Sequence, residues 1–157
     1  APLESLPWQA RFVGGMEFDP AWAKSLQERA NKLGLSQRIE FAGTVEDAQA
    51  EYQQADVFVL PSRFEGYGMV FAEALAAGLP VIAARSGAVP DVVPEAAGLL
   101  VAPDDVDGLN AALQQILTSA TLRQTLQAGA RKVAVTLPSW TDTASLVARK
   151  LEEVKNS

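Results

Sequence analysis

Short apolar runs rich in β-branched residues alternate along this chain with longer stretches in which apolar positions recur every three or four residues. The runs at residues 9–13, 39–42, 57–60, 81–84 and 99–101 have the length and composition of strands, and most end at Gly or Pro. The stretches between them read as helices. Asp19-Pro20 opens the first, with Asp19 as cap and Pro20 at the first helical position, and Trp22, Leu26, Ala30 and Leu33 form its sheet-facing stripe before Gly34. Thr44 is the expected cap of a second helix reaching Ala55, polar apart from an edge of Val45, Ala48, Tyr52 and Ala55. A third, from Met69 to Ala77, is closed by Gly78.

Val89 to Val93, interrupted by Pro90, allows one helical turn at most. Asp104 and Asp105 open a helix over residues 106–117. Two amphipathic helices follow at 120–135 and 140–154, the second with Ser139 as its cap. Five strands alternating with helices, then a helical tail, predict one three-layer α/β Rossmann-like domain over residues 1–157, built on a mostly parallel sheet. Residues 57–60 have the continuous apolar character of a strand covered on both faces.

The most informative stretch runs from Ala55 to Pro90. Strand, glycine-containing loop, helix and strand make a βαβ unit, and a loop at the carboxyl end of a parallel strand is where open α/β sheets bind ligands. Gly66 and Gly68 can take φ > 0 and admit a ligand close to backbone N–H groups, with the positive end of the next helix aimed at the same point. Glu65 in the loop and Glu73 inside the helix can face one pocket and accept hydrogen bonds from sugar hydroxyls. A Gly-x-Gly step also serves as a plain turn, and a Glu early in a helix also complements its dipole, so spacing alone leaves both readings open.

Composition narrows the chemistry. The chain has no Cys and no His, so thiolate and imidazole nucleophiles, acid–base histidines and Cys/His metal sites are excluded within it. Thirteen basic against nineteen acidic residues, with no Lys/Arg cluster, argue against a nucleic-acid partner. No apolar run approaches a membrane span and no export signal opens the chain, which fits a cytoplasmic location. Asp104 and Asp105 invite a metal reading, yet no third ligand lies near them, and helix initiation accounts for the pair.

The order of several pieces resembles a family. Pro61-Ser62-Arg63-Phe64-Glu65-Gly66-Tyr67-Gly68, then Glu73-Ala74 and Ala76-Ala77-Gly78-Leu79-Pro80-Val81, resembles the C-terminal, donor-binding domain of retaining GT-B glycosyltransferases of group 1. Phe41-Ala42-Gly43-Thr44-Val45, Gly87-Ala88-Val89-Pro90 and Gly98-Leu99-Leu100-Val101 extend the likeness, with Gly87-Ala88 standing where the family more often has Gly-Gly. The resemblance implies that Glu73 holds the donor ribose and that Glu65, the candidate catalytic residue, touches the transferred sugar. It implies further that the backbone of Gly66, Tyr67, Gly68 and Met69 holds the diphosphate, and that Gly43, Thr44 and Val45 lie near the base.

The same resemblance implies a nucleotide-sugar donor as substrate, with no cofactor and no metal. It also implies a chain that starts one βα unit inside the donor domain, since residues 1–8 lack the Arg and Lys that the family places before this point. The expected partner is then an absent N-terminal acceptor domain, through which alone peripheral membrane association would come. The lost strand would leave either direct pairing of the strands at 9–13 and 57–60 or closure of the open edge by a second chain, as in a dimer, and the chain alone is expected to be inactive. The alternatives are a non-catalytic nucleotide-binding module and a GT-B-type sugar-nucleotide epimerase fragment.

Overall fold

The computed structural model describes residues 3–137 and 140–155. Ser139, expected to cap the last helix, lies outside them. The elements run β1 (Ala10–Val13), α1 (Pro20–Lys32), β2 (Ile39–Gly43), α2 (Ala48–Gln54), β3 (Phe58–Leu60), α3 (Met69–Ala76), β4 (Val81–Ala84), α4 (Val89–Val92), β5 (Gly98–Val101), α5 (Val106–Thr118), α6 (Ala120–Ala134) and α7 (Trp140–Lys155). The α/β alternation is the one the apolar periodicity predicts.

The five strands are parallel to their partners but divide into two sheets, β1-β2 and β3-β4-β5. Direct pairing of β1 with β3, one of the two expected outcomes, does not occur. What joins the two parts is α2: Glu51 pairs with Arg11 of β1 at 2.6 Å, and Tyr52 packs on Phe58 of β3. Side-chain contacts therefore carry the chain across the break where a ladder of backbone bonds would otherwise run. Phe12, Val13 and Val59 stay substantially exposed there.

β4 is the centre of the molecule. Its four residues are fully buried because β3 and β5 cover its edges and helices cover its faces. Strand alternation sends Val81 and Ala83 into a cluster with Phe71, Leu75, Val89 and Val93, and sends Ile82 to the opposite face with Ala112, Ile116 and Leu126. Helices on both faces of a parallel sheet make the three-layer Rossmann-like arrangement. β3 is not covered on both faces as its composition suggested: Val59 is 38% exposed, since β3 is a sheet edge with one helix-covered face.

Two helix expectations are also corrected. Trp22 and Leu33, read as core residues of α1, are each 62% exposed, and Ala30 alone on that stripe is buried. α1 flanks the small β1-β2 sheet, which offers too little surface to cover a whole helical face. The second helix is capped by Asp47, whose Oδ1 accepts from the Ala50 N–H at 3.1 Å, while the Thr44 hydroxyl donates to Glu17. A carboxylate one turn later outcompetes Thr44 because the chain is still irregular at residues 44–47.

The irregular lead-in is held by Arg38, which donates to the carbonyls of Leu3, Glu4 and Leu6 and stacks on Trp8 at 5.0 Å. At the other side of the molecule α6 meets the loop before β5 through Gly129: a Cβ there would run into the Ala96 carbonyl oxygen. Gly129→Ala should therefore cost about 1–3 kcal/mol through forced displacement of the backbone, read as a lower urea midpoint at unchanged slope.

Candidate functional site

The loop at the carboxyl end of β3, residues 61–68, is fixed by sequence at both ends. Pro61 ends the strand, and Gly68 caps α3 with φ 69°, ψ 59° and without any side-chain hydrogen bond to the helix. A Cβ on Gly68 would approach the Phe71 ring to 2.5 Å and Glu65 Cγ to 2.9 Å, so the left-handed turn and tight packing both require glycine. The Phe71 N–H donates to the Gly68 carbonyl at 2.9 Å, and Gly68 offers no side chain to the other amides of the first turn. Gly66, expected to share the positive-φ role, does not: its φ is not positive and a Cβ there meets nothing within 4 Å. One left-handed residue suffices to start α3, and Gly68 supplies it.

The far end of α3 closes as the sequence indicates. Gly78 lies at φ 78°, its N–H donates to Leu75 and the Leu79 N–H donates to Ala74, a paired bond pattern that satisfies the last carbonyls. The helix is thus bounded by left-handed glycines at Gly68 and Gly78, and Glu73 sits on its exposed side.

Glu73 has a partner that sequence reasoning missed. The Tyr52 hydroxyl, arriving from α2, donates to Glu73 Oε2 at 3.0 Å. Burial first, and then the Glu73 carboxylate, pushes the Tyr52 hydroxyl pKa up to about 12, so it remains a proton donor throughout the neutral range. Tyr52 meets Phe58 edge-on at 5.7 Å, and Phe58 meets the fully buried Phe71 at 5.8 Å. An aromatic stack therefore ties α2, β3 and α3 together beneath Glu73. No local signal marks Tyr52, which reads only as part of a helix edge.

Glu65 is half-buried, and its loop is held from the β4–α4 connection. The largely buried Ser86 hydroxyl donates to the Ser62 carbonyl at 3.0 Å. Gly87, at φ 52°, lies so close to the Glu65 backbone that a Cβ would run into its carbonyl oxygen. The rule that selected the loop after β3 applies equally to the loop after β4, and would have found both residues. Arg63 of the same loop donates to Asp104 at 2.7 Å. Asp104 itself holds φ 61°, while Asp105 caps α5 through the Gly108 N–H at 2.8 Å. Both aspartates are accounted for without a metal, and among the described residues no group of three His, Cys, Asp or Glu side chains converges.

Tyr67 and Met69 are exposed beside Gly66, with Phe64 next to them in the loop. The turn at Gly43, Thr44 and Val45 ends β2 in the other sheet, with Gly43 at φ 70° and its carbonyl accepting from the Gly14 N–H at 2.9 Å. The structure thus sets Glu65 against Gly68 at the start of α3, with Glu73 about one turn further along the helix. It sets Gly43 to Val45 at the carboxyl end of a different strand.

Residues 4–133 match the model of the family described as glycosyl transferases group 1. This chain belongs to that family. Among group 1 relatives, the lipopolysaccharide core biosynthesis mannosyltransferase LpsB of Rhizobium meliloti (strain 1021) is 39% identical over 114 residues, covering 69% of this chain and 32% of that protein. The sulfoquinovosyl transferase of Arabidopsis thaliana is 36% identical over 112 residues, 68% of this chain and 22% of that one. The chain thus spans a fifth to a third of the length of these curated relatives.

Among solved structures, sucrose-phosphate synthase from Thermosynechococcus elongatus superposes with a TM-score of 0.84 at 32% identity, over 94% of this chain and 39% of that one. HepE from Anabaena, solved in complex with UDP, shares the fold with a TM-score of 0.87 at 24% identity, over 97% of this chain and 43% of its own. The group 1 glycosyltransferase family and the Rossmann-like fold read from the motifs are therefore confirmed for this chain. No helix among the described residues is long and apolar enough to cross a membrane.

Proposed function

We propose that this chain is the nucleotide-sugar-binding part of a retaining glycosyltransferase, which moves a sugar from a nucleoside diphosphate to an acceptor hydroxyl. The observation that carries the reading is the uncapped start of α3. Gly68 opens it in a left-handed turn with no side-chain hydrogen bond to the amides, between one carboxylate in the loop and another on the helix. Amides and helix dipole suit the diphosphate, and carboxylates suit hydroxyls. In this reading the backbone of residues 66–69 holds the diphosphate, Glu73 accepts from the ribose, Glu65 orients the transferred sugar, and Gly43 to Val45 border the base.

The chemistry follows from positioning and charge. The bond from the anomeric carbon to the phosphate oxygen breaks, and negative charge develops on the leaving diphosphate, where the helix amides stabilise it. The acceptor hydroxyl forms the new bond on the face that the diphosphate leaves, and its proton passes to a departing phosphate oxygen. No protein nucleophile is required, and no metal is assigned. The acceptor site belongs to a second domain, so transfer needs more than this chain. HepE is seen with UDP, whereas a relative from Corynebacterium glutamicum is GDP-mannose-dependent, so the base and sugar are set by experiment.

Calorimetry against UDP-, GDP- and ADP-sugars tests the reading. One of them should bind, and Glu73→Gln should weaken it about tenfold: a hydrogen bond to a charged group contributes about 1.5–3 kcal/mol, and a carboxamide keeps part of it. Unchanged affinity in that variant would remove Glu73 from the site.

A further inference from the structure

Glu73 is an exposed carboxylate on a helix, and such a side chain ordinarily samples several rotamers in water. Here one of its oxygens is occupied. The Tyr52 hydroxyl reaches Oε2 at 3.0 Å from a different helix, α2, that precedes β3 in the chain. Tyr52 is itself fixed: its ring lies edge-on to Phe58, which lies edge-on to the buried Phe71, two residues before Glu73 on α3. Donor and acceptor are therefore anchored to the same stack.

We propose that Tyr52 is the positioning residue for Glu73, clamping its carboxylate by Oε2 so that the other oxygen is presented to the ribose hydroxyls of the bound nucleotide. The inference rests on the reading of Glu73 as the ribose acceptor. A carboxylate oxygen that accepts one hydrogen bond from protein still has acceptor capacity, and its partner oxygen is wholly available, so a vicinal diol finds a fixed pair of acceptors. Preorganisation of this kind raises affinity by sparing the rotamer entropy that binding would otherwise cost. Because burial and the Glu73 carboxylate push the tyrosine hydroxyl pKa up to about 12, the clamp is a donor across the neutral range. It also makes α2 a part of the site: a helix whose own residues touch no sugar sets the geometry of one that does.

The test uses the intact protein and its affinity for UDP, GDP and ADP, each compared with its 2′,3′-dideoxy counterpart. Tyr52→Phe keeps the ring and its edge contact with Phe58 and deletes only the hydroxyl. For the nucleotide that binds, it should weaken the ribose form about fivefold and leave the dideoxy form unchanged. In a Glu73→Gln background it should change the ribose form by less than about twofold, because the carboxylate that it positions is gone.

Equal weakening of both forms would assign Tyr52 a merely structural role and overturn the inference, as would unchanged or tighter ribose binding in Tyr52→Phe while Glu73→Gln still weakens it. No effect of Glu73→Gln itself would instead bring down the ribose reading of Glu73. Failure of the wild-type protein to bind any of the three nucleotides would bring down the donor-site reading and the clamp with it. Circular dichroism of Tyr52→Phe separates these outcomes from unfolding.

Discussion

Gly87→Ala should weaken nucleotide-sugar binding about a hundredfold while leaving most of the secondary structure intact. The new Cβ has nowhere to go. It would occupy the position of the Glu65 carbonyl oxygen, a backbone atom that cannot rotate aside. The alanine would also have to hold φ near 52°, a left-handed conformation costing an L-residue about 1–2 kcal/mol. The clash is relieved by moving the Glu65 loop off the β4–α4 connection, which also strains the Ser86 hydrogen bond to Ser62, while the φ strain at residue 87 pushes the connection itself to rearrange.

A displaced loop loses the hydrogen bond of the Glu65 carboxylate to the sugar, and a hydrogen bond to a charged group contributes about 1.5–3 kcal/mol, which is up to about a hundredfold in affinity. Gly129→Ala is the internal control, because its Cβ also meets a backbone carbonyl oxygen, that of Ala96, but on α6 and not at the Glu65 loop. Calorimetric titration of both variants separates a specific loss at Gly87 from general damage. Equal affinities would mean that the loop does not depend on this contact.

Phe71→Ala should lower stability by about 3–5 kcal/mol, the range for truncating a fully buried aromatic ring. Phe71 has no exposed surface and packs with Leu75, Val81 and Val89 in the cluster on one face of β4. It also underlies the site on both sides: its ring lies where a Gly68 Cβ would be, and it carries Phe58, on which Tyr52 rests. The cavity left by alanine would therefore loosen the start of α3 and the Tyr52 stack together. For a chain of 157 residues the loss corresponds to a fall in Tm of roughly 10 °C. Urea unfolding monitored by circular dichroism measures it, and Phe71→Leu, closer in volume, should recover a large share. A loss under about 1 kcal/mol for the alanine variant would show that the cluster repacks.

The same close packing governs the effect of Gly68→Val. Blocked approach of a ligand to the backbone would leave the helix content untouched. The structure adds a clash with the buried Phe71 ring, so that variant combines weaker binding with weaker folding.

The sequence by itself determined the order of elements, because apolar runs of strand length and stripes of helical period are local properties that burial in a parallel sheet demands. It also determined the start of α3 at Met69 and its closure at Gly78, where backbone conformation selects glycine, and the place of Glu65 and Glu73 on the loop and helix after β3. The family likeness was legible for the same reason: many of its motifs are turn and cap residues at the ends of successive strands and helices. Only the tertiary structure decided what those residues touch. That Trp22 is exposed, that β3 is an edge, and that β1 and β3 do not pair depend on which surfaces are available to cover them, and no window of sequence contains that. Tyr52 meets Glu73 across 21 positions, Ser86 meets Ser62 across 24, and Gly87 meets Glu65 across a turn of the sheet. Such contacts join loops and helices from separate βα units, so they exist only once the parallel strands have brought those units side by side.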